Sequence, residues 1–159
     1  MTMNKKISIL VLVLAILFMD AHYSSAGEAL SAEEITKEIS NNISEEYITC
    51  SVYYFIASEG LKRSGDLKTA AKSEEAANKS LNFALVAANK GRTQEMAQKV
   101  TLARYELTMK SMVNEIDKDV SNMSVLINKY ADRCKEIMEK PDKMMDEWAD
   151  KILRKHNLK

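Results

Sequence analysis

The sequence predicts an all-α protein, an up-down-up-down four-helix bundle with a short N-terminal helical lead and a short C-terminal helix. Three observations carry this reading. The 159 residues include one Pro and four Gly, far fewer turn formers than a sheet protein of this size needs. Apolar side chains recur every three or four residues through most of the chain, the period of a helix with one buried face. The composition, 46% hydrophobic and 29% charged, is that of a folded domain rather than a disordered chain. Basic and acidic side chains balance at 23 each, so the basic surplus of a nucleic-acid binder is missing.

The first element reads as an address. Lys5 and Lys6 precede an apolar run from Ile7 to Met19, and Ser24-Ser25-Ala26 places small residues ahead of Gly27. This three-part pattern is that of a secretory signal peptide cleaved between Ala26 and Gly27. The run is too short for the ~20 residues of a comfortable membrane span. The expected organisation is residues 1–26 as a removable signal and 27–159 as a single helical domain. The protein would be exported, to the periplasm in a Gram-negative cell and otherwise secreted.

Ser31-Ala32-Glu33-Glu34 has the spacing of a capping box. Ile35, Ile39, Ile43, Tyr47, Cys50, Tyr54, Ala57 and Leu61 then form a helical stripe, with Asn41-Asn42 expected to set a short lead apart from the main first helix. Ser64-Gly65 ends that helix, and Asp66 can cap the next. The second helix is Ala-rich up to Asn89, which permits a close approach to a neighbour, and Lys90-Gly91 closes it.

Thr93 can cap a third helix with Met96, Val100, Ala103 and Leu107 on one face. A second stripe runs from Met109 through Val113, Ile116, Val120, Met123, Ile127, Tyr130 and Cys134 to Ile137. Periodicity alone would allow one helix from Thr93 to Glu139, about 70 Å long at 1.5 Å per residue. The preceding helices would be only about half that, so a fold-back is expected at Asp117–Asn122, where weak helix formers gather. Pro141 suits the first position of a last helix, with Met145, Trp148, Ile152 and Leu153 on its apolar face.

The two cysteines bear on this layout. In a four-helix bundle of this topology the first and fourth helices are antiparallel neighbours, which would bring Cys50 and Cys134 to one level. A disulfide is expected, with two buried free thiols as the alternative; Cys-x-x-Cys redox chemistry has no motif here. Cys50-x-x-Tyr53-Tyr54-Phe55, Gly65-Asp66, and Lys129-Tyr130-Ala131 with Cys134 resemble small exported helical proteins of Gram-negative bacteria, over about Tyr47 to Trp148. The resemblance implies export and a helical fold, and no activity, ligand or partner.

Motifs for catalysis and cofactors are missing. His22 would leave with the signal and His156 stands near the chain end, where an exposed tail is expected. No nucleophile elbow, phosphate loop or dinucleotide turn occurs. Paired Glu-x-x-His motifs for a di-iron site and a haem-attachment motif are absent too, so no cofactor and no metal are assigned. Met thioethers suit copper(I), but the core stripes claim most of them; Met112 and Met144 would matter if exposed. The candidate interaction surface is Tyr53 and Phe55 on the first helix with Met144 and Trp148 on the last, since aromatic anchors dominate interfaces. The expected function is an exported, non-catalytic binding protein of the inhibitor, immunity or envelope-adaptor kind with a protein partner. The alternative is a carrier of a small apolar ligand or copper(I). Membrane contact through the basic C-terminal helix is a lesser expectation.

Overall fold

In the computed structural model, residues 31–158 are described; the expected signal segment and its expected Ala26–Gly27 junction lie outside them. Five α-helices follow in order among the described residues: α1 (Ala32–Ser64), α2 (Leu67–Ala88), α3 (Gln94–Glu115), α4 (Ser124–Glu139) and α5 (Pro141–Lys155). A single 3-10 turn, Val120–Asn122, lies between α3 and α4. The described part of the protein is all-α.

Local chemistry sets most of the boundaries. Ser31 and Glu34 close the reciprocal capping box at the start of α1, satisfying amides that the helix itself cannot. Gly65 ends α1 at φ 85°, and the Asp66 amide reaches back to the Leu61 carbonyl; a left-handed residue here favours glycine. Asp66 and Thr93 accept from the amides of Thr69 and Met96 to start α2 and α3, and Pro141 opens α5. The fold-back falls where the weak helix formers stand: Asp117 and Lys118 adopt φ 53° and 60°, and the Lys118 amide bonds to the Val113 carbonyl.

Helix α1 differs from the expected lead plus main helix. It runs unbroken for 33 residues. Asn42 does not interrupt it, because its amide nitrogen donates to the Glu38 carbonyl one turn back and so stays within the helical path. Gly60 lies inside the helix, which continues to Ser64. The α1 helix packs against each of the other four, and its burial follows: Ile43, Tyr47, Ile48, Val52, Tyr53 and Ile56 all lie in the core.

The α1–α2 contact is a seam of small residues. Ser44, Ser51 and Ser58 recur every seven residues on α1, as do Ala70, Ala77 and Ala84 on α2, and all six are buried. Ser44 Oγ donates to the Ala84 carbonyl at 3.0 Å and Ser51 Oγ to the Ala77 carbonyl at 2.8 Å, so the two helices run antiparallel. Buried hydroxyls are tolerated because each has an acceptor; Ser58 uses its own helix, donating to the Phe55 carbonyl.

Cys50 and Cys134 are joined, with their Cα atoms 5.2 Å apart and both residues buried. The bridge fastens α4 to the middle of α1. Two of the expected faces differ. On α3, Ala97, Thr101 and Met112 point to the core while Met96, Ala103 and Leu107 are exposed. On α4 it is Leu126, not Ile127, that is buried.

Candidate functional site

The aromatic and thioether side chains expected to form an outward patch divide between core and surface. Tyr53 is 7% exposed, its ring 5.1 Å from that of Tyr54 and 6.4 Å from that of Tyr130; burial raises the pKa of its hydroxyl. Being surrounded on several sides, α1 has no room to leave Tyr53 outward. Phe55, 38% exposed, faces solvent. Met144 is 2% exposed while its neighbour Met145, placed on the apolar face by periodicity, is the outward one. Met112 is buried as well. Trp148 is half-buried beside Asn42, Glu45, Glu46 and Thr49. The Lys151 ammonium lies 4.1 Å from the Trp148 ring centroid, a cation–π distance, and the indole N–H is buried without an acceptor.

His156 also departs from the expected loose tail. Its Nε2 is 2.8 Å from Glu38 Oε2, and Lys155 Nζ donates to the other oxygen of the same carboxylate. Hydrogen bonds from Lys155 and His156 hold Glu38 below the usual carboxylate range. The end of α5 is thereby anchored on the first turns of α1. A second polar junction joins three helices: Arg133 on α4 reaches Glu46 on α1 at 3.0 Å and Glu147 on α5 at 2.9 Å. Glu136 and Lys143 complete it. These groups are partly solvated, so they fix geometry more than they add stability.

Two of the surface hollows have mainly apolar walls. One of about 370 Å³ lies between α1 and the α3–α4 connection, walled by Tyr54, Ala57, Leu61, Val120, Met123 and Ile127. The other, about 380 Å³, is a groove between α1, α2 and the start of α5. Ile43 and Tyr47 come from α1, Phe83 and Val86 from α2, and Pro141 and Met145 from α5. The Tyr47 and Phe83 rings meet at 5.2 Å, tilted by 49°.

This second groove is the stronger candidate, because its wall is apolar and outward at once. Phe83, Val86 and Met145 are exposed large apolar side chains, Val86 to 61%. Its edge carries Lys90, Asp142 and the Tyr47 phenol. The Tyr47 hydroxyl titrates above its ordinary value, through burial first and the Asp142 charge second, so it remains a hydrogen-bond donor across physiological pH. An apolar lining with a few polar groups at one edge is the usual composition of a binding site. Sequence reasoning missed it because Phe83 and Val86 lie off the Ala-lined face of α2 and look, in one dimension, like scattered apolar residues.

Among the described residues, no three or more His, Cys, Asp or Glu side chains gather as a metal site. No helix among them is long and apolar enough to cross a membrane. The chain matches no protein-family model, no curated protein and no solved structure.

Proposed function

We propose that the protein is an exported, non-catalytic binding protein, of the inhibitor, immunity or envelope-adaptor kind, that holds an apolar segment of a protein partner in the groove between α1, α2 and α5. The observation that carries the reading is the cluster of exposed Phe83, Val86 and Met145 around a groove of about 380 Å³, since exposed apolar side chains gathered at a concave site mark recognition surfaces. In this reading α1 to α4 form the up-down-up-down bundle and α5 is the added piece that builds the groove's third wall. The Cys50–Cys134 bridge is consistent with an oxidising compartment outside the cytoplasm.

The second reading, a carrier of a small apolar ligand, is favoured by the groove's volume, which lies in the range of small-molecule sites. Copper(I) finds less support, since the exposed thioethers Met96 and Met145 stand on different helices. The test is Val86→Asp, a solvent-facing change that leaves the core intact. Partner capture by the exported protein should fall at least tenfold in the variant, with helicity unchanged. Unchanged capture, or stoichiometric recovery of an apolar small molecule from wild type but not from the variant, would set the binding-protein reading aside.

A further inference from the structure

Helix α3 is apolar on two sides. Its core side is Ala97, Thr101, Tyr105 and Met112. Its other apolar stripe, Met96, Val100, Ala103 and Leu107, is centred roughly 135° around the helix at 3.6 residues per turn. Leu107 is 69% exposed and Met96 51%. The steps between these residues, 4, 3 and 4, are the a/d repeat with which one helix packs against another. Met96, Ala103 and Leu107 are open to solvent and Val100 is half-buried between them, and the stripe shares no residue with the groove.

We propose that this face of α3 pairs with the same face of a second copy of the chain, antiparallel, about a twofold axis at the level of Thr101–Leu102. In that register Met96 lies over Leu107 of the other copy and Val100 over Ala103. The charges flanking the seam select the occupant. Lys99 and Glu106 stand at equivalent positions beside it. Antiparallel pairing sets Lys99 of each copy against Glu106 of the other, twice by symmetry, and brings Glu95 toward Lys110. Parallel pairing would instead oppose Lys99 to Arg104, like against like. Among the described residues, Glu106 and Lys110 have no ion-pair partner, and Lys99 meets only Glu95, both largely exposed. A membrane surface fits less well, because an interfacial helix carries a basic polar edge whereas this one alternates in sign. The seam is four layers long, so the dimer belongs to the weak, exchanging class.

The test is sedimentation equilibrium on the disulfide-bonded exported protein at concentrations up to about 1 mM, with far-UV circular dichroism on every variant. Dimer should form at the upper end and dissociate on dilution. Leu107→Asp should weaken it at least tenfold without loss of helix. Lys99→Glu and Glu106→Lys should each weaken it about three- to tenfold, the scale of two exposed ion pairs. The double variant Lys99→Glu/Glu106→Lys should restore it. A monomer at every concentration overturns the proposal, as does a dimer indifferent to Leu107→Asp. Failure of the double variant to recover overturns the antiparallel register, and vesicle binding abolished by Leu107→Asp in a protein that stays monomeric assigns the face to a membrane instead. None of these outcomes bears on the Val86 groove.

Discussion

Removing the disulfide by the double substitution Cys50→Ala/Cys134→Ala should cost about 4.5 kcal/mol. The bridge spans a sequence separation of 84, and restoring loop entropy to an unfolded chain of that span gives this value in the chain-entropy relation. Alanine is preferable to serine because both sites are fully buried and a new hydroxyl there would have to be desolvated. The loss is large against the ~5–15 kcal/mol that separates most folded domains from their unfolded chains. The assay is urea unfolding followed by circular dichroism, comparing extrapolated free energies rather than midpoints, since freeing the cross-link also enlarges the unfolded chain and raises the slope. The native helical content should be retained, as the bridge joins helices that also pack through Ile48, Leu126 and Ile137. A loss below about 1 kcal/mol would refute the argument that the bridge acts by restricting the unfolded chain. Finding two alkylatable thiols in the folded, oxidised protein would remove its premise.

Other perturbations probe other parts of the structure. Ser51→Ala should destabilise by about 1 kcal/mol by removing the donor to the Ala77 carbonyl, whereas Ala84→Leu, at a fully buried seam position, should cost about 1–3 kcal/mol or more from overpacking; both are read by the same unfolding assay. Gly60→Ala should stabilise by roughly 0.5–1 kcal/mol, because an added Cβ meets only Val120 at 4.0 Å and alanine is the better helix former; a destabilised variant would show the site to be tighter than this distance implies. Glu38 has a lowered folded pKa, so its contribution is present above its unfolded value and lost as pH falls through the folded one. The stability gap between wild type and Glu38→Gln should therefore close on acidification below about pH 4.5, and a gap that widened there would contradict the assignment.

The parts legible in the sequence were those fixed by neighbours along the chain. Ser31 with Glu34, Asp66, Thr93 and Pro141 mark helix starts because the groups they satisfy lie within one turn. The Asp117–Asn122 fold-back was legible from the same kind of chemistry, and Cys50 with Cys134 from simple lengths. What periodicity could not decide is which of two apolar stripes faces inward. On α3 the spacing of Met96, Val100, Ala103 and Leu107 marks an inner stripe as well as that of Ala97, Thr101 and Met112 does, yet the second set is the one turned to the core. The burial of Ser44 and Ser51 has no local signal, because their acceptors, the Ala84 and Ala77 carbonyls, belong to another helix. Met144 and Met145 differ by about 100° of rotation, which no stripe resolves at a helix start. The groove is a property of three helices at once and has no linear signature.

The small-residue seam has a consequence for the order in which the chain takes shape. Helices α1 and α2 are consecutive, joined by the two residues Gly65 and Asp66, and their hydrogen-bonded pairs close loops much shorter than those needed to bring α4 or α5 home. Contacts between near neighbours in sequence form at a smaller entropic penalty and so tend to appear early. The α1–α2 hairpin is thus the natural nucleus, with the remaining faces of α1 serving as a template on which α3, α4 and α5 condense. Substitutions along the seam should then slow refolding, while those at Ile137 or Ile152 should mainly hasten unfolding.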